Sequence, residues 1–361
     1  MPEGVPTSAS RRDRILNAVS GATPHAIPRI PDRLKRLMMG GRTVTIDGNT
    51  LDTTMQLVLN LQRFSGNEGL ILSEDVATAR TLINIVAAQF PRAKVETTST
   101  DVSLPGPAGE IRARHYRPNE DGAPLLVYYH GGGFVVGGVD TTHDNLCELI
   151  CNDAGVHVLS VDYRLAPEHK APAAVEDAYA GYRWALDNAA ELGADPGRVA
   201  VGGDSAGGNL AAVVAQRARD DGDPPPVLQL LIYPITNFAG QTRSQGLFAD
   251  GFFLRRWDMD FCQDKYLGGS GVDPTDPRVS PLLADDLSGL PPTLLITAGF
   301  DPLRDEGRQY AEALRAAGNS VDAREFGSLT HSFPNFVGLG GGSVTATAEV
   351  TSALRAHLNR S

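Results

Sequence analysis

The chain of 361 residues predicts an α/β fold, a mostly parallel eight-stranded sheet covered on both faces by helices, and three observations carry the prediction. Short apolar runs rich in β-branched residues alternate with amphipathic stretches of helical period from about residue 93 onward, the texture of strands buried on both faces. One such run and one such stretch are joined by Gly203-Asp204-Ser205-Ala206-Gly207, a G-x-S-x-G pattern that suits a tight strand-to-helix turn. With 42% of residues in the hydrophobic set, the chain has enough apolar material for one large core or a core with an appended cap.

Residues 1 to about 25 are polar and dotted with proline, and read as a mobile arm. From Leu51 to Phe64 the apolar residues Leu51, Met55, Val58 and Leu61 recur at helical spacing. Ser73, followed by Glu74 and Asp75, is expected to cap a second helix carrying Val76, Leu82, Val86 and Phe90. Residues 1–92 therefore read as an N-terminal arm and helical cap, and 93–361 as the main domain.

In that domain the expected strands are Val95 to Leu104, Ile111 to Tyr116, Leu125 to His130, Val156 to Tyr163, Val199 to Gly203, Leu228 to Tyr233, Thr293 to Ala298 and Val321 to Phe326. Helices are expected at about 143–154, 171–192, 206–220, 304–317 and 345–358. The turn PGPAGE joins the first two strands and predicts one antiparallel hairpin at an edge. The interval from Tyr233 to Thr293 is too long for an ordinary loop and reads as an inserted helical cap segment at about 237–275. Its aromatic residues Phe252, Phe253, Trp257 and Phe261 suit plain helix packing or the roof of an apolar pocket.

Composition excludes several functions. The 32 Lys and Arg against 43 Asp and Glu give a formal charge of −11, which repels nucleic acid in the absence of a strong basic cluster. No run of about 18 apolar residues is present to span a bilayer, and the first residues contain no apolar signal region; a cytoplasmic address is expected. Cys147 and Cys151 share one helix face and Cys262 stands beside Phe261, so all three are read as packing. Without an HExxH or CxxC pattern no metal is inferred.

The chemistry concentrates in three places. Ser205 is the candidate nucleophile. Gly203 and Gly207 supply the small neighbours such a turn needs, and Ala206 opens a helix whose positive end suits a developing oxyanion. His130-Gly131-Gly132-Gly133-Phe134 follows the strand LLVYY, and Gly131, Gly132 and Gly133 offer unobstructed amides as further oxyanion donors; which of them point inward is not settled by the sequence. His130 is assigned to holding that loop. A serine needs a base and a carboxylate to orient it. Asp301 directly follows the strand TLLITAGF, and His331 stands in a loop after the last expected strand. The order Ser, Asp, His is the one this arrangement requires. Asp305 and Glu306 are the alternatives to Asp301, but they fall within the following helix. His25, His115, His143, His157, His169 and His357 occupy no loop after a late strand and are read as surface or core. Phe134, Asp204, Phe252 and Phe253 are the candidate substrate-pocket residues.

HGGGF, GDSAGG, DPLRDEG and THSF together resemble the hormone-sensitive lipase family of microbial carboxylesterases, in its GDSAG subgroup, and the likeness runs from about Ala123 to Phe336. It extends to VDYRLAPEHKAPAAVEDA at 161–178, where Arg164 and Glu168 are expected to form a structural ion pair. The resemblance implies an α/β-hydrolase fold with a helical cap, hydrolysis of short- to medium-chain acyl esters without a cofactor, and Ser205, Asp301 and His331 as the triad. It also implies a possible homodimer paired through the edge of the last strand. Amide, lactone or aryl-ester cleavage on the same triad is the alternative activity. A ligand receptor on a disabled hydrolase scaffold is the alternative from outside enzymes, though such proteins typically lose the histidine.

Overall fold

A computed structural model describes residues 24–66 and 68–359; the expected arm at 1 to about 25 lies almost wholly outside the described residues. Three N-terminal helices come first: α1 (Asp32–Met38), α2 (Thr53–Ser65) and α3 (Val76–Gln89). Between α1 and α2 a two-residue hairpin pairs Thr45–Ile46 with Asn49–Thr50. Asp52 caps α2 by accepting from the amides of Thr54 and Met55. The cap of α3 is Asp75, which accepts from the Thr78 amide at 2.9 Å, and not Ser73 as expected. Ser73 instead accepts from the Asp75 amide two residues on, so it orders the approach to the cap rather than capping the helix itself.

The strands of the main sheet are β1 (Thr98–Gly106), β2 (Gly109–Arg117), β3 (Leu125–Tyr129), β4 (His157–Val161), β5 (Val199–Asp204), β6 (Gln229–Ile232), β7 (Thr293–Phe300) and β8 (Val321–Thr330). They lie in the order β8-β7-β6-β5-β3-β4-β2-β1. β1 and β2 form the antiparallel edge hairpin closed by Gly106 opposite Gly109, and β2 runs antiparallel to β4. All other neighbours are parallel. The central strands β3, β4, β5, β6 and β7 are buried at every residue, which is why they appear in the sequence as unbroken apolar runs.

Helices α4 (Asp144–Ala154), α5 (Ala173–Asn188), α6 (Ala206–Asp221), α9 (Arg304–Ala316) and α10 (Gly342–Leu358) cover the sheet, while α7 (Arg243–Leu247) and α8 (Arg256–Leu267) occupy the long interval after β6. Two apolar clusters result, one on each face of the sheet. Cys147 and Cys151 are buried and unpaired on α4, as their spacing predicts, and Cys262 is likewise buried and free on α8.

The N-terminal segment and the inserted segment are tied to each other. Asp258, wholly buried on α8, accepts from the backbone amides of Leu70 and Ile71 at 3.2 and 3.1 Å and from the Arg255 side chain. Arg80 of α3 reaches the main domain, donating to the carbonyls of Val135 and Ala166 and doubly to Glu168. Glu168 therefore does not pair with Arg164. Arg164 instead forms a double hydrogen bond with Asp177 of α5, because the chain between them turns Glu168 outward toward α3.

Candidate active site

The turn between β5 and α6 holds Ser205 at φ 56° and ψ −118°, a conformation L-residues avoid and that persists only when its surroundings enforce it. A Cβ on Gly207 would collide with the carbonyl oxygen of Tyr129, and one on Gly203 with the backbone of Gly207. That closeness presses the turn against β3 and lifts the hydroxyl above the sheet. The Ser205 amide donates to Ile232 and its carbonyl accepts from Ile235, fixing the turn to the end of β6.

Around that hydroxyl the structure brings Asp301 and His331 together. His331 Nε2 lies 2.9 Å from Ser205 Oγ, and His331 Nδ1 lies 2.8 Å from Asp301 Oδ2. Asp301 is held in turn by the Leu303 amide, which donates to its other oxygen at 2.8 Å. Both Asp301 and His331 are buried, and the Tyr233 ring packs against the imidazole with centroids 4.4 Å apart. The last strand runs on to Thr330, past a register irregularity after Phe326, so His331 follows the strand immediately rather than five residues later. The extension is held from outside the sheet, where Ser328 accepts from the Asp52 amide. Asp305 and Glu306 turn elsewhere: Asp305 accepts from the Ser244 amide, and Glu306 from the Thr236 amide and Gln245 Nε2.

The glycine loop is organised by groups that lie beneath it. Tyr163 donates to the His130 carbonyl at 2.7 Å, its ring stacks on the His130 imidazole, and His130 Nδ1 meets the Gly131 carbonyl. Burial pushes His130 down to about 4, so the ring is a neutral strut. The Gly131 amide donates to Asp204 Oδ1 at 3.0 Å and is thereby consumed. The remaining candidate oxyanion donors are Gly132 and Gly133, with Ala206 across from them.

Asp204 is buried, is among the residues that line the smaller cavity, and supports its wall. It accepts from Tyr128 Oη at 2.8 Å as well as from Gly131, and His143 Nε2 lies 3.1 Å from it. Burial raises its carboxyl, but His143, Tyr128 and the more distant His331 outweigh that and hold it below its ordinary range. An ionised Asp204 accepts only, so the His143 proton on Nε2 points to it. His143 was read as an ordinary core or surface residue, and nothing in its local sequence reveals this contact.

Ser205 stands at the divide between two cavities. The larger, about 410 Å³, is lined by Gly133, Phe134, Cys262, Gln263, Glu306 and others from α8 and the loop after β6. The smaller, about 260 Å³, is lined by Gly132, His331, Phe253 and Phe336, with Ile83 and Val86 of α3. Leu70 borders both. Phe134 stacks face to face on Tyr266 and Phe253 packs edge-on against Phe336. Phe252 lines neither cavity; it is turned into a cluster with Phe248 and Phe300. Trp257 and Phe261 stack on each other away from the serine, the packing alternative raised by the sequence. Among the described residues no group of three or more His, Cys, Asp or Glu is placed to hold a metal ion, and no helix is long and apolar enough to cross a membrane.

Residues 126–335 match the family model described as alpha/beta hydrolase fold. The carboxylic ester hydrolase LipN of Mycobacterium tuberculosis is 57% identical over 353 residues, covering 96% of this chain and 94% of that protein. The carboxylesterase NlhH of the same organism is 47% identical over 257 residues, which is 70% of this chain and 78% of that one. Among solved structures, an ester hydrolase from the metagenome of Lake Arreo, complexed with a bipyridine phosphonate derivative, superposes with a TM-score of 0.81 at 40% identity. That match covers 86% of this chain and all of the other. A hyperthermophilic esterase of the archaeon Pyrobaculum calidifontis gives 0.74 at 40% identity, covering 85% and 98%.

Proposed function

The chain belongs to the α/β-hydrolase family, in its hormone-sensitive-lipase-like branch of ester hydrolases, and from that premise we propose that it is a serine carboxylesterase acting through an acyl-enzyme on Ser205. The unbroken relay from Asp301 through His331 to Ser205 Oγ, 2.8 and 2.9 Å, carries the reading. With Nδ1–H donating to Asp301, Nε2 is left as the acceptor that takes the serine proton.

In the first half, Oγ bonds to the ester carbonyl carbon as its proton passes to His331 Nε2. The negative oxygen that forms is met by the amides of Ala206 and of Gly132 and Gly133, each donor contributing roughly 3 kcal/mol. The carbon–oxygen bond of the ester then breaks, and the leaving alkoxide takes the proton from His331. In the second half, water gives a proton to His331 and its oxygen to the acyl carbon, and Ser205 recovers its hydrogen with release of the acid.

Because His331 must reach the leaving oxygen, the alcohol belongs in the smaller cavity that His331 lines, and the acyl group in the larger one. The segments 1–92 and 237–275 form the cap over both, and their mutual tie at Asp258 supports treating them as one unit. Two copies pair through the exposed edge of β8, and the protein works in the cytoplasm. Sedimentation showing a monomer at micromolar concentration removes the pairing, and recovery in a membrane or secreted fraction removes the address.

The test of function is hydrolysis of 4-nitrophenyl esters from acetyl to palmitoyl by the native protein and by Ser205→Ala. Short- and medium-chain turnover that vanishes in the variant is the expected result. No native turnover at any length sinks the esterase reading, and equal rates in the two proteins sink the assignment of Ser205.

A further inference from the structure

Two carboxamides stand in the smaller cavity with their oxygens unused. Asn84 comes from α3 and Asn335 from the turn after β8, and both line that cavity. Oδ1 of each is buried without a hydrogen-bond partner. A buried polar atom left unpaired is costly, and nearly all such atoms in folded proteins have partners. Asn84 shares its helix with Ile83, Val86 and Ala87, which line the same wall; a leucine in its place would serve an apolar alcohol without that cost.

Charge narrows the occupant. Arg92, at the border of the cavity, is committed to Asp144 and Glu148 at 2.7 and 2.8 Å, and Asp140 accepts from Arg112 at 2.9 Å. Neither offers a free charge to an anionic or cationic alcohol. A carboxamide accepts through oxygen and donates through nitrogen, and rotation of its terminal torsion presents either. The matching ligand group is one that also does both, a neutral hydroxyl. About 260 Å³ is small beside the roughly 300–1,000 Å³ of sites for drug-sized ligands, which fits a short polyol.

We propose that the alcohol released by this enzyme carries free hydroxyl groups that hydrogen-bond to Asn84 and Asn335, so that its substrates are monoesters of a small polyol. This rests on the reading of Ser205 as nucleophile and of His331 as proton donor to the leaving oxygen.

The test holds the acyl group fixed and changes the alcohol, comparing kcat/KM for 2,3-dihydroxypropyl butanoate and propyl butanoate. The native enzyme is expected to favour the dihydroxypropyl ester by about tenfold or more, because the propyl ester leaves the two carboxamide oxygens unpaired. In Asn84→Leu and Asn335→Leu that ratio is expected to fall toward one. A native ratio of one or below, or a ratio unchanged in both variants, overturns the proposal. The native ratio alone decides where a variant fails to fold. Turnover of 4-nitrophenyl butanoate without a preference for the diol ester defeats this inference only; no turnover of any of the three esters defeats the esterase reading with it.

Discussion

Asp301 is the residue whose replacement separates orientation from fold. It fixes His331 through one oxygen and is fixed by the Leu303 amide through the other, so asparagine fits the space but favours the wrong imidazole tautomer. Asp301→Asn is expected to lower kcat by about 10³–10⁴ with little change in thermal unfolding. Near-native turnover would transfer its role to another carboxylate. Glu306, one turn into α9, makes the converse case. Burial pushes its carboxyl up to about 8 against the opposing Thr236 amide and Gln245, from an ordinary 4.5. Between those values the folded protein keeps a proton that the unfolded chain has released, so this group subtracts stability as pH rises from about 4.5 to 8. Glu306→Gln removes that slope. The melting temperature of the variant minus that of the native protein is expected to climb across the window and level above it, and a flat difference would contradict the buried neutral acid.

At the scale of elements, the strands were legible because burial on both faces writes itself as a local pattern. All eight expected strands form, most with ends displaced by one to four residues, and the PGPAGE turn closes the hairpin it predicts. The helix α1 and the small hairpin before α2 were not foreseen, since neither carries a long enough apolar period. Ser205, Asp301 and His331 could be picked out because each stands where a strand ends, and the structure gathers them at one point. His143, Tyr128 and Asn335 could not, because their importance lies in contacts across 61 or 76 positions of chain or in a cavity with no linear trace. The same limit explains Arg164 and Glu168, neighbours in sequence whose true partners are on α5 and α3. The tie between the N-terminal segment and α8 is another such contact. Asp258→Ala leaves the Leu70 and Ile71 amides and the Arg255 guanidinium without their shared acceptor, and is expected to cost about 3–5 kcal/mol. Chemical denaturation of native and variant protein measures it; a loss under ~1 kcal/mol would mean that the two segments are held by apolar packing instead.

For the whole molecule, acid is the expected weakness. His130 and His115 are buried, and burial foremost pushes both down to about 4 from an ordinary 6.5. As pH falls below 6.5 the unfolded chain takes up these protons before the folded one does, so stability drains between about pH 6.5 and 4. His157, stacked on His115 and also shifted downward by burial, adds to the same slope. In Glu306→Gln, which is free of that carboxyl's opposite slope above about pH 4.5, unfolding free energy measured at steps through that interval is expected to fall with a proton uptake of about two; a pH-independent value would show these rings to be solvated. The exposed surface is no guide here, since its many ion pairs contribute little individually.

The position of Ser205 on the boundary between two cavities sets the order of traffic. On the proposed assignment of the alcohol to the smaller cavity, the acyl group still fills one chamber once the first half-reaction is over while the other has emptied, and the emptied one is where His331, which lines it, can activate an incoming hydroxyl. Departure and entry share a single doorway. Water has no monopoly on it: any alcohol shaped to leave by that route is equally shaped to return, and at high concentration it competes for the acyl group, turning a hydrolase into a builder of esters.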